Sequence, residues 1–60
     1  MDSAPPALLS VAAVAKRLGV SVVALRRWVR HGTFPPPIRL GRLLRWRPED
    51  VERFLDARAR

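Results

Sequence analysis

Sixty residues without a cysteine, carrying eleven arginines and one lysine against five acids for a formal charge of +7, hold one small domain with neither a disulfide framework nor a thiolate metal site. A chain of this length buries only about 60% of the surface its unfolded form exposes, which leaves no room for a deep substrate cavity and argues against a complex enzyme or a cofactor site. Residues 3–47 carry nine basic side chains and no acid, whereas residues 48–60 carry four acids and three arginines, so a polyanion-binding surface with a structural tail is expected and nucleic acid is the first candidate ligand.

Residues 1–7, with Pro5-Pro6 and no periodic pattern, read as a flexible lead to a domain over residues 8–60. The longest apolar stretch, residues 7–15, is broken by Ser10 and is about half of the ~20 residues that span a bilayer. No basic residue precedes Lys16, as a signal peptide would require. A cytoplasmic location and no membrane partner are therefore expected.

Ser10 is a good N-cap, and Val11, Val14, Ala15 and Leu18 share one helical face up to Gly19, with Leu9 and Val14 stapling the start. The same grammar repeats at once. Val20 precedes the cap Ser21, Leu25 completes the staple, Leu25, Trp28 and Val29 form the buried stripe, and Gly32 stops the helix after His31. Two short helices joined by Gly19-Val20-Ser21 are the sequence form of a helix-turn-helix, although a helical hairpin without any nucleic-acid role has the same spacing. What separates the two is charge. Outside its buried stripe the second helix offers Val22, Val23, Ala24, Arg26, Arg27 and Arg30 and no acid, and Arg26 and Arg30, one turn apart, repel each other unless an anion lies between them.

Phe34 is an apolar anchor, and Pro35-Pro36-Pro37 enforces an extended path. Ile38-Arg39-Leu40 and Leu44-Arg45-Trp46, separated by Gly41-Arg42-Leu43, alternate with period two, predicting a short hairpin with Ile38, Leu40, Leu44 and Trp46 toward the core and Arg39, Arg45 and Arg47 away from it. Leu43 at the tip is the one apolar residue that this pattern leaves unburied. Pro48 suits a first helical position, Glu49 and Asp50 suit the positive end of the dipole, and Val51, Phe54 and Leu55 make a third stripe. Trp46 and Val51 stand in the staple relation, and Glu49 and Arg53 make an i, i+4 pair. The fold class is thus mainly α with a small β-hairpin, a winged helix-turn-helix of three short helices with the two-stranded wing between helices 2 and 3.

Single chemically versatile residues have plain explanations. His31 sits where a helix C-terminus favours a basic group. Ser10 and Ser21 are caps without a His and acid to activate them, and Trp28 and Trp46 lie on buried stripes. No catalysis, metal or small-molecule effector is called for.

The runs Leu9-Ser10-Val11, Leu18-Gly19-Val20-Ser21, Gly32-Thr33-Phe34-Pro35, Leu40-Gly41-Arg42 and Arg45-Trp46-Arg47-Pro48-Glu49-Asp50-Val51 together resemble the excisionase and AlpA-type DNA-binding proteins of the MerR-like winged-helix group, over about fifty residues from Leu8 to Arg58. The resemblance implies that the second helix enters the major groove, with Val22, Val23 and Arg26 facing bases and Ser21, Arg27 and Arg30 near phosphates. It also implies that the wing reaches the adjacent minor groove, with Arg42 inserted at the tip and Arg39 and Arg45 on the flanking backbone. The sequence departs from the family pattern at Ala13, Val22 and Ala24. With valines at two groove-facing positions, hydrogen-bonded readout falls to Arg26, which suits guanine O6 and N7, while the valines suit thymine methyls. Two uses are implied. One is an excisionase, binding attachment-site DNA cooperatively with further copies of itself and assisting an integrase. The other is an AlpA-type transcriptional regulator. A basic protein-interaction module meeting an acidic partner is the competing class.

Overall fold

The computed structural model describes residues 8–59; the expected lead over residues 1–7, and Arg60, lie outside them. Ser10 and Ser21 open the first two helices in the same way, each from an extended backbone with its hydroxyl oxygen accepting the N–H three residues on, from Ala13 at 3.1 Å and Ala24 at 3.0 Å. These bonds satisfy one of the orphan donors at each helix start. Helix α1 runs Val11–Leu18 and α2 runs Val22–His31. Both end in a Schellman turn. Gly19 and Gly32 are left-handed, and the N–H groups of Gly19 and Val20 reach the carbonyls of Lys16 and Ala15 as those of Gly32 and Thr33 reach Val29 and Trp28.

Beyond α2 the chain runs extended through the prolines into β1, Ile38–Leu40, which pairs antiparallel with β2, Leu43–Arg45. Helix α3, Pro48–Ala59, follows. Pro48 lacks the N–H that a first helical position leaves unpaired, and the Arg47 carbonyl accepts from Asp50 at 3.0 Å and Val51 at 3.3 Å. The whole is three helices with a two-stranded wing between the second and third, a winged helix-turn-helix.

Val14, Ala15, Leu25, Phe34, Trp46 and Val51 form the core, drawn from α1, α2, the proline-flanked connection, the strand end and α3. Trp46 holds these parts together. Its ring meets Phe34 edge-on at 5.7 Å, Phe34 meets Phe54 at 4.7 Å, and its Nε1–H donates to the Pro35 carbonyl at 2.8 Å. Its backbone exchanges two hydrogen bonds with Leu9, of 2.8 and 3.0 Å, tying the chain ahead of α1 to the hairpin. Trp28 is only half-buried and packs at the edge of this core.

The hairpin differs from the expectation in its register. Its loop is Gly41-Arg42 alone, Leu43 belongs to β2, and the pairs are Ile38 with Arg45, Arg39 with Leu44 and Leu40 with Leu43. Gly41 has φ of 65° and no other described residue but a glycine has positive φ. That is the pattern of a two-residue type II′ turn, whose twist matches that of the strands and which needs glycine first. Shortening the loop by one residue moves one strand's side chains to the opposite face relative to its partner. Leu40 is therefore not in the core but 48% exposed beside Leu43 at 52%, and Arg39 shares the face of Leu44 rather than that of Arg45. The ion pair on α3 also differs from expectation: Arg53 bonds Asp50 at 3.2 Å instead of Glu49. Residues three apart are helix neighbours just as those four apart are, and Asp50 is the less exposed of the two acids.

Candidate nucleic-acid interface

On α2, Val22, Arg26, Val29 and Arg30 follow one another at i, i+4, i+7 and i+8, which makes a ridge. Its Arg26, Val29 and Arg30 face the wing. Arg26, Arg30 and Arg39 line one groove together with Val11, Leu25, Val29, Leu44 and Trp46. Arg26 and Arg39 also line the continuation of this groove, together with Arg42, Leu43 and Arg45 of the wing and Ser10 and Ala12 at the start of α1. Arg39 enters the groove on the Leu44 face of the wing, and Arg45 and Leu43 border it from the other face.

No acidic side chain lines either part of the groove. The acids of the described chain all lie on α3, and among the described residues the ion pairs are Arg17 with Glu52 and Arg53 with Asp50. Neither pair uses an arginine of α2 or of the wing. Five guanidinium groups with no neutralising partner among these residues create a concentrated positive potential. Such a potential suits a polyanion lying between α2 and the wing.

The remaining sequence-predicted residues occupy distinct places. Ser21 caps α2 with its oxygen accepting from Ala24, leaving the hydroxyl hydrogen available to an outside acceptor. Val22 is 37% and Val23 67% exposed, so the apolar side chains at the start of α2 meet solvent instead of the core. Arg42 is at the tip of the turn and exposed. Arg45 is half-buried, on the opposite face of the wing from Arg39, and its Nη1 donates to the Leu44 carbonyl at 2.8 Å. Arg27 stands apart from the others. It lines a second groove, between α2 and α3, with Leu18, Trp28, Phe54, Leu55 and Arg58.

Ser10 and Ala12 were not apparent as surface residues of this site from sequence. Their placement comes from the Leu9–Trp46 bridge, which sets the start of α1 beside the wing, and no local pattern encodes a pairing of residues so distant in the chain.

The geometry has a counterpart among known families. A family model described as a helix-turn-helix domain, that of the excisionase and AlpA-type DNA-binding proteins, matches residues 8–59. No curated protein and no solved structure matches the chain.

Proposed function

From the premise that this chain belongs to the helix-turn-helix domain family of excisionase and AlpA-type proteins and is a binder of double-stranded DNA, we propose that it acts as an excisionase, binding adjacent sites cooperatively and assisting an integrase. The observation that carries this reading is the acid-free groove in which Arg26 and Arg30 of α2 meet Arg39, Arg42 and Arg45 of the wing. Such a surface engages a helix in the major groove and a hairpin along the neighbouring backbone or minor groove at once, the arginines supplying charge-assisted bonds to phosphates.

The start of α2 favours an architectural role over a finely tuned operator reader. Val22 and Val23 offer only apolar contact to thymine methyls, so Arg26 is the principal source of hydrogen-bonded readout. A single module of this kind covers about 600–1,000 Å². Modest intrinsic specificity over a small footprint is raised by neighbouring copies and by a partner already on the DNA.

Replacing Arg26 by Ala is expected to flatten the preference for guanine at one position, losing about 1–3 kcal/mol of discrimination. Selection of bound sequences from a random pool, with wild type and variant in parallel, reads this directly. An unchanged preference in the variant would remove Arg26 from base reading.

The function itself is tested by a genome-wide footprint of the tagged protein in its host at base-pair resolution. A cluster of adjacent occupied sites at the attachment site of a mobile element is the expected result. Peaks at promoters, with transcription altered on deletion, would assign the AlpA-type regulatory role instead.

A further inference from the structure

We propose that the wing does more than lie along a groove: Leu40 and Leu43, side by side across the Gly41-Arg42 turn, enter the duplex as an apolar wedge and unstack a base step. The inference rests on the proposed contact of the wing with DNA and adds to it an activity, local unwinding of the duplex.

The two leucines are direct cross-strand partners, so they project from the same face of the wing with Cβ atoms about 4.5–5.5 Å apart. They are 48% and 52% exposed. The fold does not use them, since neither belongs to the core or to the apolar residues packed against it. They are also the two residues that immediately flank the tip of the turn. A hairpin tip whose only task was to meet phosphates would be served by polar side chains there.

The position of the pair indicates what covers it. Leu43 borders the outer part of the groove beside Arg42 and Arg45, and Leu40 is its cross-strand partner, so the leucine pair sits at the edge of the acid-free surface, on the face of the wing opposite Arg39 and Leu44. Arg42 stands between the leucines in sequence, and a guanidinium at the tip is drawn to the negative potential of a narrow minor groove. Delivered there by its arginines, the leucine pair meets the edges of stacked bases. Leucine is among the side chains that proteins insert from the minor groove between base pairs, bending and untwisting the duplex, and pyrimidine–purine steps yield most readily. The exposed valines of α2 differ in kind. They lie on a helix face, which fills a major groove without parting the stack.

The test needs no knowledge of the target sequence. A closed circular plasmid is relaxed by topoisomerase I in the presence of the intact protein, the protein is removed, and the topoisomers are resolved. Unwinding at each bound molecule is expected to leave a shift in linking number that grows with the amount bound. The double variant Leu40→Ser/Leu43→Ser, whose folding is checked by circular dichroism, is compared at equal bound density. It is expected to lose most of the shift per bound molecule. Leu40→Met/Leu43→Met is expected to retain the shift.

Equal unwinding per molecule by wild type and the serine variant would overturn the wedge, as would binding by the wild type with no shift at all. A serine variant that unwinds normally but binds without the wild-type cooperativity would make the pair a contact between copies, and would overturn the wedge too. Failure of the wild type to bind the plasmid would instead remove the DNA-binding reading on which the inference stands.

Discussion

Trp46→Ala is expected to leave most of the chain unfolded at 25 °C. Trp46 is 1% exposed and joins the hairpin to Phe34, Pro35 and α3's partner residues in one cluster. Its removal opens a cavity and leaves the Pro35 carbonyl without the 2.8 Å bond from Nε1. Truncating a buried aromatic costs about 3–5 kcal/mol. A domain of this size rarely has more than about 3–5 kcal/mol in total, so the loss is comparable with the whole stability. Denaturant titration followed by far-ultraviolet circular dichroism measures it. Trp46→Phe keeps most of the packing and forfeits the hydrogen bond, and is expected to cost less, remaining folded in water. If Trp46→Ala unfolds with wild-type cooperativity and an unchanged midpoint, the stability of the fold does not depend on this cluster.

Raising salt from 50 to 200 mM is expected to weaken duplex binding roughly a thousandfold, a log–log slope of about −5 from five or six neutralised phosphates. The groups concerned are Arg26, Arg30, Arg39, Arg42 and Arg45 around the acid-free groove, with Arg27 on the far edge of α2. Removing one arginine expected near phosphate, such as Arg30→Ala, is expected to reduce the magnitude of the slope by about 1 and to weaken all sequences alike. Arg53→Ala is the control, because Arg53 is engaged with Asp50 on α3. Arg27→Ala tests how far the DNA extends around α2, since this side chain alone among the expected contacts lies in the groove toward α3. Fluorescence anisotropy on a labelled duplex across a salt series gives all four slopes. A slope near zero would favour recognition of an acidic protein partner over DNA.

The helices were legible because their boundaries are local chemistry. Ser10 and Ser21 bond the N–H three residues ahead, Gly19 and Gly32 adopt the left-handed turn, and Pro48 opens α3, each within a handful of residues. The stripes Val14-Ala15, Leu25 and Val51 reached the core as their periodicity requires. The hairpin was legible as a hairpin but not in its register. Alternation of apolar and basic residues is satisfied by a loop of three residues or of two, and the choice rests on a glycine φ and on strand twist, which alternation does not express.

By itself, then, the sequence determined the three helices, the existence of the wing and the segregation of four of its five acids onto α3, all of which follow from composition and short-range bonding. Only the tertiary structure decided which side chains share a surface. The two-residue turn put Arg39 on the face of Leu44 and brought Leu40 out to Leu43, and the Leu9–Trp46 bridge carried the start of α1 to the groove that Arg26 and Arg39 line. These placements depend on contacts between residues far apart in the chain, and a one-residue change of register is enough to exchange the faces of the wing.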